Sequence, residues 1–353
     1  MRPSFARLLA ALCVLSSVLC LLTDARADLV WTPQTGWRIE GGALSGLTGV
    51  EATGALQLMN IGRLAEENGS QRSALSAYGK VAKKFPNSIY APEAFYRTAK
   101  LRLARKQYFN AFDAFQNLVG RYPNTKRFNE VIGEQYRIAS AMLDGARNRI
   151  LGFIPGFTNR SKALEYFEII LANAPYSDYA PLSLMNIARG HQKLGETEEA
   201  IDALDRMVNA YPQSLLAPDA YLKLGQAHAD LVDGPAYDQA STKEALTYFE
   251  DFQILFPSDS NVASAAKGLD KMKATLAESK MVIGDFYFLK RDNYTAAKVF
   301  YNEAITAYPD SPVAGRAKKR LAAVEAKVAG KPAPSDKGDA PKEEKKKKRF
   351  WLF

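Results

Sequence analysis

A short motif around a proline recurs six times along the chain, and this periodicity constrains the fold more than any other feature of the sequence. In each copy an aromatic or apolar residue comes before the proline, and a small polar turn follows it. The successive intervals are 37, 52, 37, 45 and 52 residues, and the prolines are Pro86, Pro123, Pro175, Pro212, Pro257 and Pro309. Because proline cannot donate a hydrogen bond to a helix, each copy predicts a helix end. The recurrence therefore predicts a repeat protein.

Residue size repeats at fixed distances before each proline. An alanine lies 12 residues upstream in all six copies: Ala74, Ala111, Ala163, Ala200, Ala245 and Ala297. A bulky residue lies eight upstream: Tyr78, Phe115, Phe167, Leu204, Phe249 and Tyr301. A small residue lies 24 upstream in the compact copies, and further upstream in the longer fifth copy: Gly62, Ala99, Ala188 and Gly225. We expect the small side chains to let two antiparallel helices approach closely, and the bulky ones to fill the gap to the next pair.

This pattern resembles the tetratricopeptide repeat. The resemblance implies an all-α fold, a right-handed superhelix of about six helix pairs over residues 54–329. Ala317, Leu321 and Val324 indicate a C-terminal capping helix. Each helix pair is too thin to bury its own apolar face, so we expect neighbouring pairs to stabilise one another by stacking. An irregular helical bundle with coincidental prolines is the competing interpretation.

Residues 1–27 have the pattern of a secretory signal peptide, with cleavage expected before Asp28. Arg2 and Arg7 precede an apolar run over residues 8–22, which is shorter than the roughly 20 residues that a spanning helix needs. The only cysteines of the chain lie in this segment. Of these, Cys20 is an alternative lipid-acceptor site.

The segments on either side of the predicted solenoid differ from it in composition. Residues 28–53 contain Trp31 and Trp37 among glycines, and we expect an extended arm that packs its tryptophans on the first helices; a loose linker is the alternative. Residues 330–353 predict a disordered tail that ends in KKKKRFWLF. Phe350, Trp351 and Phe353 beside these cations fit an interfacial membrane anchor, and a tail without function is the alternative.

Charge and motifs exclude several classes of function. The formal net charge is +9, but the signal and the tail account for most of it, leaving about +3 on the body. Nucleic-acid binding is therefore not expected. His191 and His228 lie one 37-residue interval apart, at equivalent repeat positions that do not converge on a shared site. No phosphate-binding loop, nucleophile elbow or HExxH motif occurs, so we expect no enzyme, no cofactor and no metal site.

Two surfaces are candidate binding sites. In tetratricopeptide arrays the first helix of each pair lines the concave face, and mapping those positions gives a groove with Arg63, Tyr96, Lys100, Tyr136, Arg189 and Lys193. Cations beside tyrosines suit an extended peptide with aromatic side chains and a free carboxylate, although a solvated basic face is the alternative. The insertion at 145–159 carries the apolar Phe153, Ile154 and Phe157. It predicts either a wedge against a partner or lipid surface, or a loop folded back on its own solenoid.

The segments FPNSIYAPEAFYRTAK, YPNTKRFNEVIGEQYRIA and APYSDYAPLSLMNIA resemble the BamD-type outer-membrane assembly family. The resemblance implies a periplasmic adaptor at the outer membrane. It would bind the POTRA domains of the β-barrel assembly protein and receive unfolded β-barrel precursors that end in an aromatic residue. Members usually carry a lipidated cysteine directly after the signal, which this sequence lacks at Asp28, and the basic-aromatic tail is expected to replace that anchor. The alternative is a CpoB-like periplasmic coordinator of envelope constriction.

Overall fold

The computed structural model describes residues 28–40, 50–237 and 239–330, and these residues are mostly helical. Four short strands are present: β1 (Asp28–Thr32), β2 (Gly36–Glu40), β3 (Arg149–Ile150) and β4 (Ile154–Pro155). The first helices are α1 (Val50–Glu67), α2 (Gln71–Lys84), α3 (Ala91–Ala104), α4 (Tyr108–Arg121), α5 (Phe128–Leu143), α6 (Arg160–Asn173) and α7 (Tyr179–Leu194). The remaining helices are α8 (Thr197–Ala210), α9 (Ala217–Asp230), α10 (Ala240–Leu255), α11 (Val262–Lys290), α12 (Tyr294–Ala307) and α13 (Pro312–Val328).

Every proline of the repeated motif follows the second helix of a pair, as the sequence predicts. Helix α2 ends at Lys84, two residues before Pro86, and α4 ends at Arg121, two residues before Pro123. The same spacing holds for α6, α8, α10 and α12. A turn follows each proline and leads into the next first helix. Helices α1, α3, α5, α9 and α11 each pack against the helix that follows them.

The positions at which small and bulky residues recur in the sequence are part of the core. All six repeated alanines and all six bulky residues are buried. The expected role of the bulky residues was incomplete, because they also fill space inside their own pair. A Cβ added to Gly62 would lie 2.5 Å from Cε1 of Tyr78, and one added to Gly225 would lie 2.7 Å from Cδ1 of Phe249. Phe249 also contacts Gly268 of the next pair, so a single ring can fill both gaps.

The chain divides into two compact units, residues up to Gly190 and residues from His191 onward. In the second unit, the long last interval between prolines is taken up by α11, which has 29 residues. The predicted capping helix is α13. Its Ala317 and Val324 are fully buried in a cluster with Tyr301, and Leu321 packs against the same cluster.

The segment predicted as an extended arm contains a β-hairpin formed by β1 and β2. The two tryptophans are cross-strand partners, and Trp37 is buried in the first core cluster with Met59 and Tyr78. The backbone N–H of Trp37 donates to Oδ1 of Asn60 at 2.8 Å. The tryptophans therefore pack on the first helices, as the sequence predicts. The signal segment with Cys20, and the tail with Phe350, Trp351 and Phe353, lie outside the described residues.

Within the described ranges, the helices are too short or too polar to cross a bilayer.

Candidate peptide-binding surface

Neighbouring first helices in the first unit are joined by polar contacts between residues 34 apart. Glu93 of α3 accepts from Nε of Arg127 at 3.1 Å, and Nζ of Lys100 donates to Glu134 of α5 at 2.8 Å. The hydroxyl of Tyr96 donates to Glu130 of α5. The contacts join residues 34 apart, whereas the first two prolines are 37 residues apart. The difference of three residues is about one helical turn. The contacts bring the predicted groove residues of α3 against α5.

Tyr96 is a packing residue as well as a surface residue. Its buried ring meets the edge of Phe115, and the guanidinium of Arg127 lies 4.4 Å from the ring centroid. Burial and the hydrogen bond to Glu130 raise the pKa of Tyr96. Burial opposes charge on Glu130, but the bonds from Tyr96 and Arg127 outweigh it and lower the pKa of this carboxyl. The tyrosine therefore stays a neutral donor to a charged acceptor.

Arg63 connects α1 to the N-terminal hairpin. Its guanidinium lies 4.1 Å from the ring centroid of Trp31, an arrangement that a cation and an aromatic face favour. The same group lies 3.4 Å from Glu66 and 3.3 Å from Glu67. Glu66 also accepts from the hydroxyl of Tyr78 at 2.8 Å. The charge of Arg63 is thus balanced by carboxylates of its own helix.

Lys100 belongs to a cluster that keeps a surplus positive charge. The buried carboxylate of Glu134 lies 2.8 Å from Nζ of Lys100 and 3.0 Å from Nη1 of Arg137. One carboxylate therefore faces two cations, and the side chain of Arg137 is 69% exposed. The triad Lys100–Glu134–Arg137 by itself has a net charge of about +1, and Lys100 also interacts electrostatically with the nearby Glu130.

The other predicted residues lie along the following helices. The hydroxyl of Tyr136 accepts from Nδ2 of Asn186 at 2.8 Å, and its ring packs against Phe167 and Tyr179. Arg189 pairs with Asp144 at 3.1 Å. Lys193, on the last turn of α7, is assigned to the second unit. Five of the six predicted groove residues thus lie on first helices of one unit.

Several residues of this surface were missed in the sequence, although a signal for them exists. Arg127, Glu130, Glu134 and Arg137 complete the network, and none of the four was predicted. Oppositely charged residues recur 34 apart in the sequence, as in the pairs Glu93 with Arg127 and Lys100 with Glu134. A search for complementary charges 34 residues apart would have found Arg127 and Glu134.

The insertion predicted at 145–159 forms a small hairpin of β3 and β4. Its base is bound to the α3–α4 turn, while Phe153, Ile154 and Phe157 are exposed. The base of the insertion therefore folds back on the helices, as one alternative predicts, while its apolar tip faces solvent and its contact with a partner or lipid stays a prediction.

The two histidines make separate contacts. Nδ1 of His191 lies 2.7 Å from Glu196, whereas the ring of His228 stacks on Tyr248 with 5.5 Å between centroids. Burial lowers the pKa of His228 below its ordinary value.

Comparison with known proteins gives two family matches. Residues 158–332 match the family YfiO, described as an outer membrane lipoprotein, and residues 58–88 and 93–125 match a tetratricopeptide repeat. The outer membrane protein assembly factor BamD of Caulobacter vibrioides is 27% identical over 139 residues, which cover 39% of this chain and 45% of that protein. BamD of Rickettsia prowazekii is 29% identical over 147 residues, covering 42% of this chain and 58% of that protein. The chain spans about half the length of these curated relatives.

Solved structures that align with this chain include a TPR repeats protein of Bacteroides fragilis, with a TM-score of 0.36 and 16% identity over 77% of this chain and 98% of that one. MamA of Desulfovibrio magneticus aligns with a TM-score of 0.30 and 17% identity over 60% of this chain and 98% of that one. The family matches, together with the helix pairs, confirm the all-α tetratricopeptide-like fold and the predicted resemblance to the BamD-type outer-membrane assembly family.

Proposed function

We propose that this chain is a non-enzymatic outer-membrane protein assembly factor that works as a periplasmic scaffold at the outer membrane. The observation that carries the proposal is the match of residues 158–332 to an outer membrane lipoprotein family, together with curated relatives named as assembly factors. The scaffold would hold unfolded β-barrel precursors in the groove on its first helices and bind the POTRA domains of the barrel assembly protein.

The groove gives this proposal a chemical mechanism for peptide binding. An extended peptide with a free C-terminal carboxylate would place that group on the triad Lys100–Glu134–Arg137, where one carboxylate already faces two cations. Aromatic side chains of the peptide would lie beside the half-buried Tyr136. The paired Arg63 and Arg189 would orient the peptide backbone without contributing a free charge.

A peptide-binding measurement tests the groove. The probe is a fluorescent peptide of alternating aromatic and polar residues that ends in phenylalanine, made with a free carboxylate and with an amidated end. The variant Lys100→Gln/Arg137→Gln should weaken binding of the carboxylate form about ten-fold, because charged hydrogen bonds are lost. Its binding of the amidated form should stay close to that of the unchanged chain.

The control for this experiment is Lys80→Gln/Lys84→Gln, which removes two exposed cations of α2 and should leave both affinities unchanged. Equal affinity of the unchanged chain for the free and amidated peptides would contradict carboxylate binding at the triad.

The proposed POTRA-bearing partner is tested separately. The chain is crosslinked in the cell envelope and purified together with the proteins that it contacts. Recovery of a POTRA-bearing barrel protein supports the proposed role. Recovery of Tol-Pal components or peptidoglycan synthases in its place would contradict it and support a coordinator of envelope constriction.

A further inference from the structure

The insertion between α5 and α6 presents apolar side chains to solvent on a fixed support. The chain from 145 to 159, called here the apolar hairpin, pairs Ile150 with Ile154 across β3 and β4. Phe157 is 94% exposed, Leu151 63% and Phe153 61%, and the two isoleucines are also exposed. Large apolar groups gathered at one exposed site mark an interaction surface.

The support is a set of hydrogen bonds from the α3–α4 turn. The backbone N–H of Arg149 donates to the carbonyl of Lys106 at 2.8 Å, and the side chain of Asn148 accepts from the N–H of Phe109 at 3.2 Å. Nη2 of Arg105 donates to the carbonyl of Leu151 at 2.8 Å. At Gly152 the backbone is left-handed, and a Cβ there would lie 2.6 Å from Nε of Arg105. The hairpin is therefore held in place while its apolar side chains stay outside the core.

The surroundings of the hairpin are cationic. No Asp or Glu occurs from residue 145 to 159, whereas Arg147, Arg149 and the following Arg160 are exposed. Beside the hairpin lies a cleft of about 360 Å³, lined by three arginines together with Leu151 and Phe153. This cleft, which is lined by Arg72, Arg102 and Arg105, is called here the arginine cleft. Asp113 offsets part of the charge of Arg102.

This combination favours one kind of occupant. A protein partner usually covers one face of a hairpin, but Ile150 and Ile154 share one face while Leu151 and Phe153 lie in the turn. Hydrocarbon can surround a tip from all sides, and arginines at its base then meet lipid phosphates. We propose that the apolar hairpin enters the interface of an anionic lipid bilayer, with the arginine cleft and Arg147 and Arg149 binding the phosphate groups. This inference stands independently of the proposed assembly role.

Vesicle binding of the full chain tests the proposal. The vesicles contain phosphatidylglycerol and phosphatidylcholine in equal parts, and a second set contains phosphatidylcholine alone. Phe153→Ala/Phe157→Ala should lower the partition coefficient on anionic vesicles at least about ten-fold, from the burial of two aromatic rings. Arg147→Gln/Arg149→Gln should lower it about 25-fold, taking about five-fold for each basic residue near an anionic surface.

Two matched variants control for general loss of apolar or cationic surface. Tyr176→Ala removes an aromatic ring that is 99% exposed on another turn, and Lys80→Gln/Lys84→Gln removes two exposed cations. Both should bind like the unchanged chain. Because all substituted side chains are exposed, the variants should keep the circular dichroism of the unchanged chain.

A reporter on the hairpin separates its contribution from that of the C-terminal tail. In a chain with Cys13 and Cys20 replaced by serine, Phe157→Cys carries an environment-sensitive fluorophore, and Tyr176→Cys carries it in the control. A blue shift at position 157 but not at 176, on anionic vesicles only, supports the proposal. It is overturned by a label at 157 that stays in water while the chain binds, by equal binding to neutral vesicles, or by unchanged binding of the double phenylalanine variant.

Discussion

At the scale of single residues, the repeat is a matter of side-chain volume. The sequence predicts which positions are small and which are bulky, and the structure buries all of the repeated alanines and rings. The sequence does not predict which ring packs against which glycine, because that depends on how the two helices cross. Tyr78 packs on Gly62 of the preceding helix, and Tyr301 packs on Gly284 in the same way. The close approach of the helices in these two pairs therefore depends on the missing Cβ.

Substitution of two helical glycines by alanine should have opposite effects. Gly62→Ala should lower the free energy of unfolding by about 1–3 kcal/mol, because the new methyl group would overlap the ring of Tyr78. Gly79→Ala, in α2, meets no atom within 4 Å and should raise it by about 0.5–1 kcal/mol through helix propensity. Denaturant unfolding of both variants measures the difference, and a stabilising Gly62→Ala would contradict the packing argument.

The carboxyl of Glu130 should make the stability of the first unit depend on pH. Its pKa in the folded chain lies below the ordinary value of 4.5, because Tyr96 and Arg127 stabilise its charged form. The stabilisation is therefore complete above that ordinary value and is lost as the pH falls through the lowered pKa. The effect should be small, since the side chain is 44% exposed to solvent.

The variant Glu130→Gln isolates this contribution. Near neutral pH it should be less stable than the unchanged chain, and the difference should shrink as the pH falls below 4.5. Urea unfolding of the two chains over that range provides the measurement. A difference that grows in acid would show that the pKa is raised in the folded chain.

At the scale of elements, helix ends were predictable and the short strands were not. Proline marks the end of each second helix, so local chemistry was sufficient there. In the N-terminal hairpin Gly36 has a positive φ, and a Cβ added there would lie 2.8 Å from Oδ1 of Asn60. That contact joins residues 24 apart, and composition around the tryptophans does not reveal it. The hairpin at 150–154 likewise requires Arg105, far away in the sequence.

The N-terminal hairpin should stabilise α1 mainly through one of its two tryptophans. Trp37→Ala removes a ring buried with Met59 and Tyr78, and it should cost about 3–5 kcal/mol. Trp31→Ala removes a half-buried ring that contacts Arg63, and it should cost about 1 kcal/mol. Hydrogen exchange of the α1 amides should accelerate more in Trp37→Ala. Equal acceleration in the two variants would contradict this order.

At the scale of the whole molecule, the sequence repeats with one period, and the polar contacts between neighbouring first helices join residues at a different spacing. Equivalent positions recur every 37 residues in the compact copies, but the polar contacts between first helices join residues 34 apart. The sequence period was enough to predict the fold and to assign five of the predicted groove residues to first helices of one unit. The charge network follows the spacing of 34 residues, which reflects how neighbouring first helices pack. Stability in such arrays is expected to be a sum over neighbouring repeats, so damage at one end should stay local.

Removal of the capping helix tests this expectation. A chain ending at Ser311 lacks α13, which covers Tyr301 and its neighbours in the last core cluster. Hydrogen exchange in α12 should accelerate strongly, because the apolar face left by Ala317 and Val324 becomes exposed to water. Exchange in α1 and α2 should be unchanged, since their core cluster lies in the first unit. A chain ending at Gly330 keeps α13 and serves as the control. Faster exchange in α1 and α2 of the chain that ends at Ser311 would show that the repeats unfold as one cooperative body, which nearest-neighbour stacking does not allow.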